Sequence, residues 1–370
     1  MIVIGRLIAP SAFASLESAG YDRAERTADT PSAQDIVLVD IDQSSLSALG
    51  SWPWPRSVHA DLLAKLQSDG ARLVAFTSPL GTPQNARETE RLRAALSLLE
   101  ASDLNNSEQA EKLRSLLKIA DSDPDAQLAG AIASHGNVVL PIEARIGDSA
   151  ESATGLSARM AITASASALS AAEEASVVRP LSQELQRAAQ GVGHVYLSSD
   201  TDGVIRTDLT AVKIGSTLLP SLATVIAARA QPTDSDRMPL LSASTLRIGD
   251  HTIALDQHLR SRPHFFAQNS RNLVHYSYSQ VLDGTVPAAQ LRDKIVLVGL
   301  ADPDTTLRTP AGSTNSQVII ASSVASLMQG SVYLRPPSAA IAEWLVALGV
   351  ILFAALLLPR AGPGLAARIL

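Results

Sequence analysis

Residues 35–77 read DIVLVDIDQSSLSALGSWPWPRSVHADLLAKLQSDGARLVAFT. Ile36 to Ile41 is an apolar run of the kind a sheet buries, interrupted by Asp40 and closed by Asp42. A polar loop is expected from Gln43 to Gly50. Trp52-Pro53-Trp54-Pro55 follows, with Arg56 directly after. Val58, Leu62, Leu63 and Leu66 then recur on one helical face, and Gly70 supplies the stop. Leu73 to Phe76 reads as a second strand. Such a strand–loop–helix–strand unit normally lays two parallel strands side by side. It predicts an α/β fold: a mostly parallel central sheet with helices on both faces.

Outward from this unit the same alternation continues. Lys294–Gly299 (KIVLVG) is the second strongly buried strand, and Asn137–Arg145 and Gly193–Leu197 are further strands. Asp123-Pro124 caps a helix that runs to His135. Helices are also expected over 180–190, 218–230 and 317–329, the last with Val318, Ala321, Val324, Ala325 and Met328 inward. Ala86–Glu100 and Ser107–Ala120 read as charged amphipathic helices. Gly249-Asp250-His251 marks a hairpin, and Val274–Leu282 starts a helix at Ser279. Asp148–Ser176, rich in alanine and serine, is expected to be a poorly ordered insertion with one strand near Met160 to Thr163.

Over 370 residues the net charge is −6, too acidic to assemble the domain-wide basic face of a nucleic-acid binder. With no cysteine there is no disulfide framework, thiolate metal site or cysteine nucleophile. Ala339–Leu358 is apolar apart from Glu343, and at about 1.5 Å per residue it spans about 30 Å, one hydrocarbon core. Glu343 and Trp344 stand at its first turn, where an interface accepts them. Arg360 and Arg368 follow, which predicts an inside C-terminus and an outside position for the residues before 338. Met1–Leu16 is apolar but carries Arg6 and Pro10. It reads as the tail of a first membrane helix, with a peripheral amphipathic segment as the alternative. The expected divisions are a membrane-proximal segment 1–34, an α/β domain 35–337 outside the membrane, a transmembrane helix 338–358 and a cytoplasmic turn 359–370. Gly362-Pro363-Gly364 in that turn looks like the start of a further membrane helix.

Four blocks carry a resemblance. They are IVLVDIDQSSLSALGSWPWPRSVHADLLAKL (36–66), GVGHVYLSSDTDGVIRTDL (191–209), YSYSQVLDGTVPAAQLRDKIVLVGLADPDTTLRTP (276–310) and VASLMQGSVYLRPP (324–337). In this order they resemble the type-two CHASE domain, the cyclase- and histidine-kinase-associated sensory extracellular domain of bacteria. The resemblance implies an extracytoplasmic ligand-sensing module, tethered by membrane helices and coupled to a cytoplasmic cyclase, cyclic-dinucleotide enzyme or kinase. Where such domains commonly carry an aspartate after the second strand, this chain has Thr77-Ser78. The expected partners are the membrane, a small-molecule or protein ligand, and a second copy of the chain as a homodimer. No cofactor and no catalytic residue are expected.

Nine residues are candidate ligand contacts: Asp40, Asp42, Trp52, Trp54, Arg56, Asp202, Arg206, Asp302 and Thr309. Asp40 and Asp42, two apart on a strand, share one face near the strand's carboxyl end, where open α/β sheets bind ligands. The alternative is that Asp42 caps the following backbone and Asp40 pairs with Arg56 or another cation. A rival treats Asp40 and Asp42 as the acid pair of a haloacid-dehalogenase-like phosphatase, with Asp302 and Asp304 completing a magnesium site. That rival leaves the WPWPR block without a role. Trp52 and Trp54, held extended by prolines with rings pointing the same way, either stack on a ligand or form a stiff lid that positions Arg56. Asp200-Thr201-Asp202-Gly203 resembles a calcium loop only in part. Counting from Ser198, position twelve is Leu209 where a glutamate is required, so an Asx turn is expected. An envelope interaction module without signalling output is the remaining alternative.

Overall fold

The structure is a computed structural model. It describes residues 10–80, 94–98, 111–112, 114, 124–147, 160–179, 181–231, 239–333, 345, 348–349 and 351–352. The chain divides into two compact units, 1–29 with 333–370, and 30–332. In the first unit, helix α1 (Pro10–Glu25) is the main described element, and Tyr21 meets Tyr333 edge to face at 5.1 Å between ring centroids. Most of Ala339–Leu358 lies outside the described residues. The described ones, Leu345, Leu348, Gly349, Ile351 and Leu352, are helical, and the four apolar side chains among them are exposed. Among the described residues no helix is long and apolar enough to cross a membrane.

The second unit is built on a seven-stranded sheet. Its strands are β1 (Ile36–Ile41), β2 (Leu73–Phe76), β3 (Val138–Ile146), β4 (Ala175–Arg179), β5 (Gly191–His194), β6 (Val274–Ser277) and β7 (Ile295–Leu300). The order is β6-β1-β7-β2-β3, and β3 then pairs in parallel with β5 and antiparallel with β4. All other pairings are parallel. The mostly parallel sheet expected from the sequence is therefore present. The expected adjacency of the first two strands is not, because β7 lies between β1 and β2. KIVLVG is apolar on both faces and takes the central place, where both edges and both faces are covered.

Helices cover both faces. Val37, Val39 and Ile41 face helices α3 (Arg56–Ser68) and α4 (Pro124–His135) through Leu62, Leu63, Leu66, Leu128 and Ile132. Ile36 and Leu38 face helices α5 (Leu222–Ala230) and α7 (Ser316–Gln329) through Val225, Ile226, Val318, Ala321 and Val324. The alternation of β1 side chains thus anchors two cores, each fully buried leucine or isoleucine contributing about 1.5–3 kcal/mol. Gly193 makes close helix–strand packing possible: a Cβ there would stand 2.5 Å from Leu222 Cα.

Other expectations need correction. Gln43–Leu49 is a helix, α2, rather than a loop, because Asp42 caps it. The expected insertion over 148–176 has regular structure from Met160 onward: Thr163–Ala164 pairs with Leu240–Leu241, Ala166–Ala171 is a helix, and β4 begins at Ala175. Met160 and Ile162 are buried, which gives this segment the core contacts its composition did not advertise. Pro232–Met238 and most of 81–123, including most of the two amphipathic helices expected there, lie outside the described residues.

Candidate functional site

Parallel strands bring their carboxyl ends together, and the candidate residues gather there in separate groups. At the end of β1, Asp42 is the N-cap of α2. Its Oδ1 accepts hydrogen bonds from Ser45 N at 2.9 Å, Ser45 Oγ at 2.7 Å and Ser277 Oγ at 2.8 Å. Ser44 Oγ reaches both carboxylate oxygens at 3.1 and 3.2 Å and Ser277 Oγ at 2.7 Å. Burial pushes the Asp42 pKa up as the largest single effect. The hydroxyl and amide donors together outweigh it and hold the carboxyl below its ordinary range. Asp42 is a fixed anion that ties the end of β1 to the end of β6.

Asp40 takes a different partner. Its Oδ2 lies 2.8 Å from His275 Nδ1 on the neighbouring strand β6. Asp40 Oδ1 and His275 Nε2 are both shielded from solvent and have no hydrogen-bond partner among the described residues. The two aspartates therefore do not act as one acid pair. Asp302, the third acid at this end, caps the short turn Pro303–Thr305 by accepting from Asp304 N at 2.9 Å. Among the described residues no three histidine or acidic side chains converge as a metal site.

The WPWPR block forms a second group. Trp52-Pro53 is a cis peptide, and the indole rings of Trp52 and Trp54 meet edge to face at 5.4 Å and 79°. Trp54 Nε1 donates to Gly50 O at 2.8 Å, and its ring lies 4.8 Å from that of Tyr278. His59 is enclosed by Trp52, Trp54, Phe76 and Tyr278, and its Nδ1 is 3.0 Å from the Tyr278 hydroxyl. Burial, and then the charge of Arg56, push the His59 pKa down to about 3, so the ring is neutral. Arg56 does not meet Asp40 or Asp42. Its Nε donates to Asp125 Oδ1 at 3.1 Å and its Nη1 to Leu80 O. Arg56 stands at the first turn of α3, on the face turned toward α4, which carries Asp125. Arg56, only 7 % exposed, is thus a buried brace between α3 and α4, and Trp54 is buried against His59 and Tyr278.

Helix α6 (Tyr278–Leu282) joins these two groups. Ser277 and Ser279 touch the Asp42 cluster, while Tyr278 between them reaches His59 and Val58 O. A third group stands apart. Arg206 Nη1 and Nη2 donate to Asp202 at 3.0 and 2.8 Å, and Nη1 also to Asp200 at 2.8 Å. Val204 N donates to Asp202 Oδ1 at 3.1 Å, the Asx turn expected from the sequence. The Arg206 hydrogen bond holds the Asp202 pKa down to about 2. This turn bridges to the Leu307–Thr309 strand through Val204 and Arg308, and Thr309 Oγ1 closes its own hairpin on Gly312 O.

Sequence reasoning missed His275, Ser277, His59, Tyr278, Asp125 and Gln317. Gln317 Nε2 donates to Leu297 O at 2.8 Å, fastening the first turn of α7 to β7. A histidine in an edge strand and a lone serine carry no motif. Asp42 followed by Ser45 was a readable cap signal.

The sheet, covered by helices on both faces, and the polar groups at its carboxyl end define a three-layer α/β domain. The chain matches the CHASE2 domain family over residues 1–358 and belongs to that family. CHASE2 domains are non-catalytic sensory domains, typically extracytoplasmic in signalling proteins. Searches of curated proteins and of solved structures found no match.

Proposed function

We propose that this CHASE2 domain is the input module of a bacterial inner-membrane signalling protein. Ligand or partner binding at the carboxyl end of the sheet is relayed to a cytoplasmic cyclase, cyclic-dinucleotide enzyme or kinase. The observation that carries the proposal is helix α7. Its first turn is fastened to the sheet through Gln317, and its last residue, Gln329, clasps the incoming chain. Gln329 Oε1 accepts from Ser32 N at 3.1 Å, and Gln329 Nε2 donates to Ser32 O at 2.6 Å. Gln317 to Leu327 are buried without a break, so the helix moves as a body rather than bending. Fourteen residues at about 1.5 Å each make a strut of about 21 Å from the polar end to the point where the chain enters and leaves. A shift of this strut changes the relative position of the two flanking segments, which is what a transmembrane relay requires.

The membrane reading rests on the apolar run 339–358 followed by Arg360. The homodimer remains part of the proposal, since a shift between paired membrane helices is a signal only against a partner. To test the relay, the chain is fused to a reporter cyclase. Gln329→Ala should shift basal output, while Gln67→Ala, which loses only its exposed pair of bonds with Ser134 on the other face, should not. Equal output from both variants removes α7 from the relay. Placement is read with single cysteines in this cysteine-free chain. A membrane-impermeant maleimide should label Gln43→Cys in intact cells and leave Arg360→Cys unlabelled, and the reverse pattern overturns the orientation.

A further inference from the structure

Parallel strands sort charge as well as ligands. Within three residues before a strand of the parallel set stand Arg72, Arg271, Arg292 and Lys294, against Asp35 and Asp293. Within three residues after a strand, the described charges are Asp42 and Asp302, with no cation among them. A chain of net charge −6 therefore concentrates cations at the amino end of its sheet. The two ends of the 30–332 unit meet there too, at the Ser32–Gln329 clasp.

A groove of about 590 Å³ opens at this end beside the edge strand β6. Val37 and Val274 contribute its apolar lining, and Arg271, Lys294, Asn272 and Gln290 its polar one. No carboxylate lines it. Arg271 is exposed and has no hydrogen-bond or ion-pair partner among the described residues. Lys294 Nζ donates to Gln34 O at 2.6 Å, and its nearest carboxylate, Asp35, is 4.0 Å away with a largely exposed side chain. An ammonium held by one neutral acceptor keeps most of its field and two further donors.

We propose that this groove binds a phosphate-bearing anion, Arg271 and Lys294 supplying charge and Asn272 and Gln290 amide donors. Arg271 offers the planar fork that matches two phosphate oxygens, and Lys294 a point charge beside it. The source is the head group of an anionic phospholipid, because the groove flanks the point where the chain enters the unit. The lipid source rests on the membrane reading proposed above; the anion site itself does not. This site is distinct from the carboxyl-end site, which lies across the sheet and carries the opposite charge.

The test uses the full chain in neutral detergent, titrated with phosphatidylglycerol or phosphatidylcholine in mixed micelles and, separately, with inorganic phosphate, and read by phosphorus NMR. Phosphatidylglycerol should bind in preference to phosphatidylcholine, and added salt should weaken it. Arg271→Gln, which breaks no internal bond, should weaken binding about fivefold, and Arg271→Gln with Lys294→Gln about twenty-fivefold. Asp302→Asn should leave binding unchanged. Inorganic phosphate binding with the same dependence on Arg271, without lipid preference, upholds the anion site and assigns it a soluble ligand. Binding of both probes that is indifferent to the double substitution, or no binding of either, overturns the site.

Discussion

Arg56 shows how a single residue can be correctly singled out and wrongly partnered. The sequence pointed to a guanidinium held by a carboxylate under the tryptophans. The structure keeps the guanidinium buried and supplies Asp125, 69 positions away, instead of Asp40 or Asp42. Removing one member of such a pair leaves the other charge stranded. Arg56→Ala should therefore cost about 3–5 kcal/mol in urea unfolding, with the pair's side chains only 8 % and 10 % exposed. Arg56→Lys should recover part of this, since an ammonium cannot serve Asp125 and Leu80 O with the same fork. An unchanged midpoint for Arg56→Ala would show that the brace is not structural. The same loss should let the His59 pKa rise from about 3, visible in its ring proton shifts, because the Arg56 charge is one of the two effects that depress it.

At the scale of elements, glycine marks where a strand and a helix touch. A Cβ on Gly193 would meet the backbone of α5 at Leu222, which cannot rotate away. Gly193→Ala should destabilise the domain by about 1–3 kcal/mol or more through overpacking, measured as a shifted denaturation midpoint. Gly130, inside α4, has nothing within 4 Å of its Cβ position and an ordinary helical φ. Gly130→Ala should stabilise by about 0.5–1 kcal/mol, because alanine loses less backbone entropy in a helix. A Gly193→Ala protein as stable as the parent would mean that α5 is free to move off β5. The elements themselves were largely legible from their periodicity: α3, α4, α7, β1, β2, β3 and β7 all appear where apolar spacing and caps put them. α2 was missed because seven residues barely complete two turns and carry only Leu46 and Leu49 as an apolar signal.

At the scale of the whole molecule, three buried titratable groups set opposing pH dependences. His59 and His194 both have pKa values pushed down to about 3, His59 by burial and then Arg56, His194 by burial. A histidine that is neutral when folded and protonated when unfolded costs stability as pH falls from about 6.5 toward 3. Asp208 is the reverse: burial raises it to about 7, with Ser221 Oγ 3.5 Å away as a weak donor. Its contribution is present below the unfolded value of about 3.9 and is lost as pH rises through about 7. Asp208→Asn should therefore raise the melting temperature at pH 8, and the gain should shrink toward pH 4. A gain of the same size at both pH values would show that Asp208 is not buried as an acid.

What the sequence by itself determined is the class of fold, the main helices and strands, and the family. These depend on local periodicity, on caps and on motif blocks that each fit within one stretch of chain. Tertiary structure alone decided the strand order, which placed β7 between β1 and β2, and the partners of Asp40 and Arg56. Asp40 met His275 and Arg56 met Asp125 because parallel crossovers bring together residues separated by 235 and 69 positions. No local pattern encodes such pairs. A carboxylate on a strand reads the same whether a distant histidine, an arginine or water will face it, and the choice is made only when the layers close and exclude solvent.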